Sequence, residues 1–290
     1  MTNRRVIGFD REIRAEWLDA VAAKVSDGGS PRDVRNWLDT FLADQLGGKG
    51  GGGNRGKTIT VLSRIWSNVP KPCREIRDRA LNLLQHVDSE ERLAIHWAMA
   101  TAVYPFFGDV TATVGRLLAL QGDVERHAVL KRLSETWGER PAVSRACRAI
   151  WSSLAQWSAM KEGGRRGRYC QLDRKHPASM EVTRLLLESV IRSSDRLAMP
   201  LSAISTWPGL FPFELTDISA SIAHSTEITV SREGIDLEMV RAIKSDRPQA
   251  GNLDPRLRSP VNSRDHEASL FEIGKDDRPS RAQPAARSGD

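Results

Sequence analysis

Residues 109–172 read DVTATVGRLLALQGDVERHAVLKRLSETWGERPAVSRACRAIWSSLAQWSAMKEGGRRGRYCQL, and the order of patterns in them decides the expected fold. The first helical pattern carries Val110, Val114, Leu117 and Leu118 on one face. Gly122-Asp123 opens a second, with Leu130, Leu133 and Trp137 in phase. Gly138 supplies the left-handed conformation that closes a helix, and Pro141 fits the first position of the next one. A connection of about three residues containing glycine is the mark of a helix-turn-helix.

The third helix separates its residues by face. At about 100° per residue, Val143, Ala146, Cys147, Ile150, Leu154 and Trp157 fall on one side. Arg145, Arg148, Ser152 and Gln156 fall opposite, with Ser144 on the flank and Arg140 just before the helix. An apolar back with a front of Arg, Ser and Gln is what a recognition helix needs to reach phosphates and base edges. A solvated helix surface gives the same pattern, so the face alone does not choose between the two readings. The following segment KEGGRRGRYCQL, residues 161–172, tips the balance: it has glycines to turn a hairpin, four cations (Lys161, Arg165, Arg166, Arg168) and Tyr169 and Leu172 to anchor a return strand. The succession predicts a winged helix-turn-helix over 108–175, in which the hairpin lies beside the third helix and touches the adjacent backbone of double-stranded DNA.

Charge follows the same stretch. The 290-residue chain has a formal net charge of +6. Residues 125–175 hold 12 Lys and Arg against 5 Asp and Glu, whereas residues 245–290 hold 8 of each sign. The excess therefore sits on the predicted DNA-facing segment, as phosphate binding requires. The three cysteines, Cys73, Cys147 and Cys170, have no paired spacing that fits a zinc site or a disulfide framework. No apolar run reaches the roughly 18 residues that span a bilayer, and MTNRRVIGFD lacks an apolar core of signal-peptide length. These features predict a cytoplasmic protein with no membrane contact.

Before the central stretch, residues 1–107 predict an all-α bundle of five helices. Phe9, Ile13, Trp17, Val21 and Val25 recur every four residues. Ser30 is placed to cap a second helix with Pro31 in its first turn and Asp33 suiting its positive end; Val34, Trp37, Leu38, Phe41 and Leu42 form its apolar side. Ile59, Leu62, Ile65 and Trp66 mark a third helix, and Ile76, Ala80, Leu83 and Leu84 a fourth. Asp88 and Glu91 have capping-box spacing before RLAIHWAMATAVYPFF, which is apolar nearly all round and so belongs at the centre. His96 has no partner at ligand spacing and reads as structural. Gly51–Thr58 matches the P-loop pattern G-x-x-x-x-G-K-[ST], but the segment before it is helical, so the strand–loop–helix setting that lets Lys57 reach a phosphate is missing. A flexible inter-helix loop is the expected reading.

After the central stretch, residues 176–244 predict a small α+β extension packed on the winged helix. Residues 178–192 read as an amphipathic helix, a short helical piece ends at Trp207-Pro208-Gly209, a strand covers 227–231, and a last short helix follows. Residues 245–290, with five prolines and mixed charge, predict a disordered tail whose apolar patch is ASLFEIG, 268–274.

No His-Glu-x-x-His, Gly-x-Ser-x-Gly or clustered histidine pattern points to catalysis, a metal or a cofactor. The N-terminal bundle, YPFFGDV at 104–110 and WGERPAVSRACRAIWSSL at 137–154 together resemble the BrxA family of BREX phage-defence proteins over about residues 9–172. The glycine-rich loop and the tail depart from it. The resemblance implies a non-enzymatic DNA-binding accessory to a multi-protein antiviral defence system. The residues expected to meet DNA are Arg140, Ser144, Arg145, Arg148, Ser152, Lys161, Arg165, Arg166 and Arg168. The alternatives are an adaptor whose winged helix docks a partner subunit and, third, nucleotide binding at 51–58.

Overall fold

A computed structural model describes residues 7–47, 53–194, 198–223, 225–233 and 237–243. The expectations for the tail, for its 268–274 patch and for residues 48–52 of the glycine-rich loop fall outside the described residues. Within them the protein is mainly helical with two small antiparallel sheets.

The N-terminal helices are α1 (Ala15–Ser26), α2 (Pro31–Phe41), α3 (Asn54–Trp66), α4 (Arg74–Leu84) and α5 (Ser89–Val103), with a single 3-10 turn at Lys71–Cys73. Ser30 accepts the Asp33 amide, as its position before Pro31 predicts. Asp88 likewise caps α5, accepting the amides of Glu90 and Glu91. The reciprocal half of the capping box is absent, because the Glu91 carboxylate instead accepts the Ser179 amide at 2.8 Å. Phe9 and Ile13 are fully buried but precede α1. They belong to a non-helical strap whose Ile13 amide donates to Ser153 Oγ at 2.8 Å and whose Ile13 carbonyl accepts Trp157 Nε1 at 2.9 Å.

The apolar run expected as one central helix to Phe107 breaks at Tyr104. Proline disfavours helical geometry in the residue before it, and Tyr104 is extended (φ −123°, ψ 91°). Pro105 then opens α6 (Pro105–Gln121) at a position where its missing N–H costs nothing. After α6 comes β1 (Asp123–Glu125), where the sequence pattern predicted the start of a helix; α7 (Arg126–Trp137), α8 (Pro141–Gln156), β2 (Met160–Glu162) and β3 (Arg168–Gln171) follow. The three strands form an antiparallel sheet in the order β1-β3-β2, with Glu125 opposite Arg168 and Met160 opposite Gln171.

The C-terminal elements are α9 (Met180–Ser193), β4 (Met199–Pro200), α10 (Leu201–Ser205), a 3-10 turn at Pro208–Leu210, α11 (Ile218–Ala223), β5 (Ile228–Arg232) and β6 (Glu238–Ala242). Strand β5 matches expectation, but β6 replaces the predicted last helix and pairs with both β4 and β5. In so short a segment only Val240 is fully buried, and one buried position cannot separate a period of two from one of 3.6. Helix α9 packs chiefly on α5 rather than on the central helices. Its Glu188 is fully buried, ion-paired to Arg79 and to Arg192 (2.6 Å).

One apolar cluster runs from Ile7 to Val240 and draws on all three sequence stretches. Trp97 of α5 is its hub. Its ring meets Phe107, Trp157, Phe211 and Phe213 edge-on at 5.3–6.0 Å, and its Nε1 donates to the Gly209 carbonyl at 3.1 Å. The turn carrying Gly209 reaches that position because Gly115 of α6 has no side chain: a Cβ there would lie 1.9 Å from the Pro208 carbonyl oxygen. His96, one residue before the hub, is buried against the edge-on ring of Trp66. Its Nε2 is 2.9 Å from Asp19 Oδ1, which also takes Arg92 Nε at 2.6 Å.

Candidate nucleic-acid interface

The turn between α7 and α8 is Gly138-Glu139-Arg140. Gly138 ends α7 as expected, but its φ of 76° comes with a ψ of 158°, so it is extended rather than left-handed helical, a conformation still open to glycine and strained for other residues. Arg140 does not project freely: its Nε and Nη2 both donate to the Trp137 carbonyl, at 3.1 and 2.9 Å, closing the end of α7. Trp137 is fixed in turn by its Nε1 bond to Asp109 (2.8 Å) and by an edge contact with Phe106. The helix that follows is therefore held at its start by backbone, cation and ring together.

On α8 the predicted back face is buried: Val143, Ala146, Cys147, Ile150 and Leu154, with Trp157 just beyond. Ala149, Trp151 and Ser153 join them, so the buried side is broader than the apolar stripe implied. Burial pushes the Cys147 thiol up to about 11 against the opposing field of nearby Arg126, which leaves it an unreactive core residue.

The front face holds Arg145 and Arg148, both exposed, and Ser144 and Ser152, both half-exposed. Arg145 and Arg148 are one turn apart, about 4.5 Å along the axis. Neither has a hydrogen bond or ion pair among the described residues. Gln156, next on the same stripe, belongs elsewhere: its Oε1 accepts the Ala15 amide at 2.9 Å and its Nε2 donates to Glu16. The usable front thus ends at Ser152, where the N-terminal strap and an acidic residue take over. A cavity of about 330 Å³ beside that end is lined by Glu12, Arg14, Glu16, Trp17, Phe41, Gln45 and Gln156.

The hairpin is attached to α8 through Tyr169, whose ring meets Trp151 edge-on at 5.0 Å. At its tip the Glu162 carboxylate accepts the Gly167 amide at 2.7 Å, and Gly163 donates to the Arg168 carbonyl at 2.7 Å. Lys161, Arg165 and Arg166 are exposed and, among the described residues, without an ion pair. Arg168 differs. Its guanidinium donates to Asp123 at 2.5 Å and to Glu125 at 3.1 Å, both on β1. Among the described residues, five of these cations are therefore without a side-chain partner (Arg145, Arg148, Lys161, Arg165, Arg166), and Arg140 and Arg168 are engaged.

Helix α7 adds three exposed cations not singled out from sequence, Arg126, Lys131 and Arg132, likewise without an ion pair among the described residues. All three lie within the basic stretch 125–175, but on a different helix from the Arg, Ser and Gln face of α8.

The described part of the P-loop-like stretch, residues 53–58, is the start of a helix. Lys57 and Thr58 lie inside α3, whose N-cap is Gly53, and the preceding element is α2, not a strand. The Thr58 hydroxyl donates to the Asn54 carbonyl at 3.0 Å and is buried. Among the described residues no three His, Cys, Asp or Glu are grouped to hold a metal ion, and no helix is long and apolar enough to cross a membrane. No family model, curated protein or solved structure matches this chain, so its functional reading rests on this geometry.

Proposed function

We propose that residues 108–175 are a winged helix-turn-helix and that the protein binds double-stranded DNA through it, without catalysing a reaction. The order α6–β1–α7–α8–β2–β3, the three-residue turn and the antiparallel sheet beside α8 support the first half. The observation that carries the second is the set of five cations, unpaired among the described residues, shared between one face of α8 and the hairpin fastened to that helix. In this reading α8 enters the major groove, with Arg145 and Arg148 reaching base edges or phosphate and Ser144 and Ser152 offering hydroxyls. Arg165 and Arg166 lie on the neighbouring phosphates, and Lys161 reinforces them.

The test is binding of a short duplex by the purified full chain, followed by an Arg145→Ala/Arg148→Ala variant. Loss of most of the affinity in the variant supports the reading. A wild-type protein that ignores duplex at low salt but co-purifies with a subunit encoded beside it would replace the reading with that of an adaptor. The resemblance to the BrxA family extends the proposal to a role as an accessory in phage defence, to be checked by phage plating on cells with and without the gene.

A further inference from the structure

Arg168 stands in the most cationic segment of the chain yet faces away from the role that its neighbours share. On β3 it lies directly opposite Glu125 of β1, and its two terminal nitrogens reach Glu125 Oε1 and Asp123 Oδ1, two residues apart on the same strand. The side chain is 29% exposed, and its Nε is buried without a partner, so the guanidinium is laid along the sheet. Successive residues of a strand point to opposite faces. Accordingly Tyr169, the next residue, turns the other way and meets Trp151 of α8. The base of the hairpin is thus fastened on both faces, by an ion pair to β1 and by a ring contact to α8.

We propose that Arg168 is a positioning residue: a strut from β3 to β1 that holds the hairpin so that Arg165 and Arg166 face the same duplex as α8. A two-stranded hairpin is marginally ordered alone, and fixing it before binding removes an ordering cost from association. The inference rests on the DNA-binding reading, and a DNA-free measurement keeps the two separable.

The decisive variant is Asp123→Asn/Glu125→Gln. It raises the net charge by two and releases Arg168. If Arg168 contacted phosphate, the variant would bind duplex more tightly and with steeper salt dependence. As a strut, its release weakens binding about threefold to fivefold despite the added charge. Arg168→Lys, which keeps the charge but loses the two-pronged donor, weakens binding by a similar factor with an unchanged salt slope. Without DNA, hydrogen exchange on the full chain reads the strut itself: the Gly163 and Gly167 amides exchange faster in Arg168→Lys and in the double variant, while α5 and α6 stay as protected as in wild type. Tighter binding by the double variant, or unchanged exchange at these glycines, overturns the proposal. Failure of the wild type to bind duplex refutes the DNA reading and leaves the exchange result to decide whether Arg168 orders the hairpin.

Discussion

If the protein binds duplex as proposed, the salt dependence of that binding counts the cations that touch phosphate. Each neutralised phosphate on double-stranded DNA contributes about −0.9 to the slope of log K against log salt. Arg145, Arg148, Lys161, Arg165 and Arg166 have no side-chain partner among the described residues, so engagement of all five gives a slope of about −4.5. Raising salt from about 50 to about 200 mM then lowers affinity roughly 500-fold. Removing Arg165 and Arg166 together reduces the slope to about −2.7, and the same change in salt then costs only roughly 40-fold. If Arg126, Lys131 and Arg132 of α7 also reach the backbone, the wild-type slope steepens to about −7, so a single measurement separates a contact made by α8 and the hairpin from one that includes α7. Fluorescence anisotropy of a labelled duplex, titrated with the full chain across that salt range, supplies the slope. A wild-type slope shallower than about −2, or a slope that survives loss of both hairpin arginines, refutes the assignment of these residues to phosphate.

Other consequences concern the scaffold and the P-loop-like stretch. Trp97→Ala removes a fully buried ring and its bond to Gly209, a change of the class that costs about 3–5 kcal/mol. At this chain size that lowers the melting temperature by roughly 6–20 °C, with Trp97→Phe losing less, and a negligible shift in calorimetry would dismiss the hub. His96 is held neutral below its ordinary value of 6.5, because burial disfavours the imidazolium more than Asp19 favours it. The unfolded chain therefore takes up a proton that the native state refuses, and stability falls as pH drops below about 6.5. Asp19, whose burial is outweighed by His96 and Arg92 so that it stays ionised below its ordinary range, adds to that loss at more acid pH. His96→Gln flattens the first part of this profile in urea melts at a series of pH values; an unchanged profile would assign the loss to other groups. At the P-loop-like stretch, calorimetric titration with ATP shows no heat that Lys57→Ala abolishes, since Lys57 and Thr58 are consecutive residues of a helix that follows another helix.

What the sequence made legible were the features set by neighbours along the chain. Ser30 before Pro31, Asp88 before an apolar helix and Gly138 before Pro141 each fix a local backbone state, and each marks the boundary that its chemistry predicts. Strand β1 leaves no mark in the sequence because three residues with one buried side chain, Val124, carry no period at all. The break at Pro105 was hidden for the opposite reason: nearly every residue around it is buried, so no polar stripe marks the change of axis. The site divides along the same line. A helical face predicts which way Arg145 and Arg148 point, because direction is a local property. Whether a polar side chain is available is not local, since Gln156 is taken up by Ala15 and Glu16, about 140 positions away. The hairpin shows both cases within four residues. Arg168 falls inside the strand register and so lies opposite the carboxylates of β1, whereas Arg165 and Arg166 lie in the turn beyond the last paired residues, with no strand across from them to supply an acid. Register, more than composition, separates the arginine that is paired within the sheet from the two that have no partner among the described residues.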